Sequence, residues 1–131
     1  MLREGPIPLF VHGAVEYVAA ALLILAPFVF DFDSGAATAL SIVVGVVILA
    51  VAAATEGPTS LVNQIPQPAH VALDFVLAVV LIALPFLAGF SDETAPTAIF
   101  IGLGVFHLLL TIGTRFRTAA RAEPPADGGG A

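Results

Sequence analysis

The sequence predicts an all-α protein: a four-helix transmembrane bundle built from two tandem, parallel-related helical hairpins. Three observations carry this expectation. Hydrophobic residues make up 59% of the chain and charged residues 11%, against roughly 45–50% and about 25% in soluble globular proteins. Four apolar runs, at about 9–30, 37–55, 69–89 and 97–114, each fall within the range of about 17–25 residues that crosses a hydrocarbon core as a helix. Strands are excluded because backbone groups in lipid must be satisfied within the segment. The third observation is a repeat. Residues 12–32 (HGAVEYVAAALLILAPFVFDF) align without a gap on 70–90 (HVALDFVLAVVLIALPFLAGF). With one extra residue in the second copy, the match continues from Thr38, Gly45 and Thr55 to Thr97, Gly104 and Thr114. Corresponding residues of such a duplication are candidates for pseudo-symmetric partners.

Residues 1–8 read as a short cytoplasmic lead, with Pro8 suited to a first helical turn, where its missing N–H costs nothing. Residues 9–55 form the first two-helix repeat, its helices joined by an outer turn at 31–36 around Ser34-Gly35. The first run does not read as a cleaved signal peptide. It is too long for an h-region, carries Glu16, ends in Pro27-Phe28, and recurs inside the chain. Residues 56–68 are a cytoplasmic linker whose three prolines and one glycine exclude a continuous helix. Residues 69–115 are the second repeat, with its outer turn at 91–96. Residues 116–131 end in Pro-Pro-Ala-Asp-Gly-Gly-Gly-Ala and read as a flexible cytoplasmic tail. Two spans separate equivalent helices, so they run in the same direction about a two-fold along the membrane normal. Pro27 and Pro85, near the outer ends of the first and third helices, are expected to kink or end them.

Charge sets the expected orientation. The formal net charge is −6, yet Arg3, Arg115, Arg117 and Arg121 all lie beside the termini. The outer turns carry Asp31, Asp33, Asp92 and Glu93 and no base. This basic bias predicts an inner (plasma) membrane protein with both termini cytoplasmic. Cysteine is absent, which removes disulfides, thiolate metal sites and thiol redox chemistry. No basic stripe with interleaved aromatics points to nucleic acid. The expected partner is the lipid bilayer, together with a membrane-protein partner or a second copy. Gly45, Ala50, Ala54, Gly102, Gly104 and Gly113 allow close helix contact without forming a GxxxG motif.

Each first helix ends in a small or apolar residue, a proline and an aromatic: Ala26-Pro27-Phe28 and Leu84-Pro85-Phe86. A short loop follows, then a second helix opening toward Gly45 or Gly104. The unit resembles the SPW-repeat family of small bacterial integral membrane proteins, in which a two-helix unit carries a Ser-Pro-Trp step. Neither copy here keeps the serine or the tryptophan. The resemblance extends over about 12–114. It implies an integral membrane location and brings no defined activity, so function must be sought in the side chains.

His12 and Glu16 are i, i+4 neighbours on the first helix, and His70 and Asp74 repeat that geometry on the third. His107 stands where the first copy has Ile48. Ionisable residues inside a span are costly, face the bundle interior and are functional candidates by default. At 1.5 Å per residue, Glu16, Asp74 and His107 lie roughly 8–12 Å deep, one polar layer in the cytoplasmic half. The expected role is structural: His12 to Asp74 and His70 to Glu16 would dock the hairpins, since buried polar groups need partners. A proton-handling layer, a divalent metal site and a b-type haem between His12 and His70 are the functional alternatives. No HxxH, ExxH or cysteine pattern marks a metal, and no nucleophile–base pair or phosphate loop marks an enzyme. The expectation is thus a non-enzymatic structural or accessory membrane protein with no cofactor or metal assigned. The alternative is a proton- or metal-handling protein using the His/carboxylate layer.

Overall fold

The computed structural model describes residues 5–114. Arg3, Arg115, Arg117 and Arg121, on which the expected orientation rests, lie outside the described residues, as do positions 1–4 and the 116–131 tail. Four helices follow in order: α1 (Leu9–Val29), α2 (Gly35–Ala54), α3 (Gln67–Leu87) and α4 (Thr94–Gly113). Among the described residues the remaining pairing is limited to two isolated bridges. All four helices are long and apolar enough to cross a membrane. Only 28–33% of each apolar window is buried within the bundle. Side chains such as Val18, Val79 and Phe86 point outward, as they must where the surrounding solvent is lipid.

The helix starts have local causes. Pro8 and Pro66 sit immediately before α1 and α3 in extended conformation. Ser34 Oγ accepts from Ala37 N at 3.1 Å, a side-chain cap that starts α2 at Gly35 rather than at residue 37. α4 starts at Thr94, three residues ahead of its apolar run, and Pro96 falls in its first turn. Those N–H groups have no intrahelical partner in any case, so proline there lengthens the helix and shortens the expected 91–96 turn. Pro68 does the same for α3.

α1 packs on α2, α3 on α4, and α1 also meets α4. The glycines shared by the two copies make each hairpin close. A Cβ on Gly45 would lie 2.9 Å from Ala20 O and 2.8 Å from Ile24 Cγ1. One on Gly104 would lie 2.9 Å from Ala78 O and 2.7 Å from Ile82 Cγ1. Only a residue without a side chain allows that backbone approach. Leu23, Leu81, Phe90 and Phe100 fill the core, with the two phenylalanine rings edge to face at 5.1 Å.

Pro27 and Pro85 lie inside α1 and α3, which continue to Val29 and Leu87. Each proline lacks the N–H that would serve the carbonyl four residues back. For Pro27 that carbonyl is Leu23 O, and Ser41 Oγ of α2 donates to it at 2.5 Å. The equivalent position in α4 is Phe100, which has no hydroxyl to offer Leu81 O.

At the turn face, the Glu93 carboxylate accepts from Asp33 N at 2.7 Å and Ser34 N at 2.9 Å, tying one hairpin turn to the other. At the linker face, the linker folds back over the end of α2. Leu61 N and Val62 N donate to Ala53 O, and Gln64 N and Ile65 N to Ala54 O, which serves carbonyls that a helix end leaves open. Ile65 pairs with Thr55, and Ile7 pairs with Thr114. The segment leading into each hairpin is thus held by the end of the other hairpin.

Candidate functional site

The intramembrane ionisable residues converge just inside the linker face. His12 and Glu16 come from α1, His70 and Asp74 from α3, and His107 from α4. Their relative exposures are 1%, 3%, 4%, 3% and 6%. His12 Nε2 lies 2.5 Å from Glu16 Oε1, and His70 Nε2 lies 2.8 Å from the same oxygen. Across the centre, His12 Nε2 is 3.2 Å from Asp74 Oδ2 and His70 Nε2 is 3.1 Å from Asp74 Oδ1. Two nitrogens and two carboxylates therefore alternate around a closed ring. The cross-repeat approaches expected of a docking layer, His12 to Asp74 and His70 to Glu16, are both present. His107 Nε2 reaches Asp74 Oδ1 at 3.1 Å, while its twin, Ile48, gives Glu16 no such partner.

The outward nitrogens of the ring are also held. His12 Nδ1 is 2.7 Å from Thr114 Oγ1, and His70 Nδ1 is 2.7 Å from Thr55 Oγ1. Each threonine hydroxyl donates its proton to its own helix, Thr114 to Leu110 O at 2.5 Å and Thr55 to Val51 O at 2.7 Å. A hydroxyl has one proton, so towards the imidazole it acts as acceptor. Both histidines consequently carry a proton on Nδ1 and turn Nε2 towards the carboxylates.

Among the described residues, openings reach the centre from two sides. Between α2 and α3 lies a cavity of about 210 Å³ with valine and leucine walls, and its floor is formed by Glu16, His70, Asp74 and His107. At the linker face a vestibule of about 20 Å³ is lined by Glu56, Thr59 and Gln67 above His12, Glu16 and His70. That is room for about one water.

The model of the SPW repeat domain matches residues 10–114. The chain belongs to the SPW repeat family. No curated protein and no solved structure matches it. Membership and the four apolar helices make it a multi-pass membrane protein.

In this SPW repeat protein the five expected polar residues meet in one centre, whereas Pro27 and Pro85 belong to the hairpin walls, on the turn side of the bundle. Sequence reasoning gave no role to Thr55 and Thr114. Their signal was the repeat itself, whose matched stretch ends on that pair. Nor does spacing reveal the ring, because its two His/acid pairs are separated by 58 residues of chain, from His12 to His70.

Proposed function

We propose that this SPW repeat protein is a small, non-enzymatic cation-handling membrane protein whose working part is the buried centre of His12, Glu16, His70 and Asp74. One observation carries the reading. Two carboxylates share a site at most 3% exposed, and residues 5–114 contain no lysine or arginine to offset them. Leaving two such charges uncompensated in a low-dielectric layer costs several kcal/mol each. Among residues 5–114 the available counter-charge lies in the centre itself, as protons on its imidazoles or carboxyls or as a metal ion. The centre thus both fastens the hairpins and holds cations. The basic termini support a plasma-membrane location with termini and linker face in the cytoplasm. The vestibule then opens to the cytoplasm, and an accessory role beside a larger membrane assembly fits the small size.

Infrared difference spectroscopy of the protein in liposomes, between pH 5 and pH 11, tests the reading. Imidazole bands that change with pH and are altered in Glu16→Gln and Asp74→Asn support it. Bands indifferent to pH in a folded protein that binds no metal would leave the centre a fixed structural clasp.

A further inference from the structure

We propose that the cation is a single divalent first-row transition metal, of the Zn²⁺, Fe²⁺ or Mn²⁺ class, bound by His12 Nε2, His70 Nε2, Glu16 and Asp74. This rests on the cation-handling reading and specifies its ligand. Four groups, one donor atom each, lie within 4.8 Å of one another and are all buried. Ligands at the corners of a tetrahedron are about 3.3–3.6 Å apart when metal–ligand distances are about 2.0–2.2 Å. The observed nitrogen–oxygen edges are 2.5–3.2 Å. Opening the ring by a few tenths of an ångström to about 1 Å per edge brings these edges to tetrahedral spacing.

Three further features match coordination better than plain ion pairing. First, both imidazoles are fixed through Nδ1 to Thr114 and Thr55, the outer contact by which metal-binding histidines are oriented with Nε2 towards the ion. Second, Asp74 Oδ2 is buried and meets no hydrogen-bond geometry, although His12 Nε2 lies 3.2 Å away. Such a contact is what two ligands of one ion make. Third, two carboxylates and one divalent ion sum to zero charge, which suits a site inside a membrane. Two imidazoles with two carboxylates select borderline divalent ions rather than Ca²⁺ or Mg²⁺, which take all-oxygen shells, and no thiolate is present for Cu(I).

His107 stands behind Asp74 as a positioning residue, and Thr55 and Thr114 have the same role behind the histidines. The oxygen-lined vestibule supplies the route from the linker face. Gln67 Oε1, at its rim, is buried without a hydrogen-bond partner among the described residues. The larger cavity between α2 and α3 opens through apolar walls and offers a hydrated ion no comparable path.

The test uses the full chain, stripped with a chelator in mild detergent and titrated with Co²⁺ and Zn²⁺. One Co²⁺ per chain is expected, with the strong visible absorption of a tetrahedral ion, displaced stoichiometrically by Zn²⁺. Asp74→Asn is expected to abolish it. Thr55→Val and Thr114→Val should each weaken binding about 10–100-fold, with Thr55→Ser restoring it, a rescue that loss of packing alone does not produce. Absence of saturable one-to-one binding to the folded wild type overturns the metal assignment, as does binding unchanged by Asp74→Asn in a variant that elutes and melts normally. If Co²⁺ fails to bind while the pH-dependent imidazole bands persist, the metal is refuted and the centre handles protons. If both fail, the cation reading falls as well.

Discussion

Replacing Ser41 with alanine isolates one hydrogen bond and the residue that made it necessary. Ser41 and Leu23 are fully buried, and the hydroxyl donates at 2.5 Å to Leu23 O, the carbonyl that Pro27 deprives of its helical donor. Stranding a buried carbonyl costs about 1–3 kcal/mol. Hydrogen bonds between membrane helices measure lower, about 0.6 kcal/mol on average and about 1.7 at most. Here the reference state cannot recover the lost bond from its own helix, so Ser41→Ala is expected to cost about 1–2 kcal/mol. In a Pro27→Ala background the new N–H serves Leu23 O directly, and the same Ser41→Ala change should cost about 0.5 kcal/mol or less. The coupling, about 0.5–1.5 kcal/mol, is of the size seen for residues sharing one network. Unfolding of the four variants by sodium dodecyl sulfate in mixed micelles, followed by far-UV circular dichroism, gives the cycle. An equal cost of Ser41→Ala in both backgrounds would refute the assignment of the hydroxyl to the proline gap.

Two further outcomes are expected. Gly104→Ala places a Cβ 2.7 Å from Ile82 Cγ1 and 2.9 Å from Ala78 O, an overpacking cost of about 1–3 kcal/mol. Gly102→Ala meets nothing within 4 Å and should be neutral or stabilising by up to about 1 kcal/mol, so equal effects in the same unfolding assay would contradict the close α3–α4 approach. For topology, single cysteines at positions 3 or 121 should resist a membrane-impermeant reagent added to intact cells, and cysteines within 31–35 or 91–95 should react. The reverse pattern would invert the proposed orientation.

The four spans were legible in the sequence because hydropathy alone specifies them, and their pairing into hairpins followed from the repeat. His12, Glu16, His70, Asp74 and His107 stood out because ionisable groups inside a span are costly. The His12–Asp74 and His70–Glu16 approaches were legible as the docking that the repeat implies. The outward contacts to Thr114 and Thr55 were not, because they depend on how the two hairpins meet at the linker face. Thr55 and Thr114 looked like helix ends, since a threonine there is ordinary unless an imidazole is known to face it. α4 starts inside the expected 91–96 turn because hydropathy marks only the apolar run from 97, while Pro96 in a first turn has no hydrogen bond to break. Ser41 offered a faint signal: a hydroxyl in an apolar helix, aligned with Phe100 and so not explained by the repeat.

The exchange of threonines between hairpins bears on how the chain can be divided. Thr114, at the end of the second hairpin, holds His12 of the first, and Thr55, at the end of the first, holds His70 of the second. The leading segments cross in the same sense, Ile7 to Thr114 and Ile65 to Thr55. A half-length chain therefore possesses every group of one clasp but can close none of it alone. It has a histidine awaiting another half's threonine and a threonine awaiting another half's histidine. Two separate halves would complete one another as a symmetric pair, at a rate and affinity set by their concentration in the membrane. Joining them through the linker makes the same encounter intramolecular, at an effective concentration on the order of millimolar for a short connection. Fusion also frees the halves to diverge, and His107 opposite Ile48 is a difference that two identical chains could not carry.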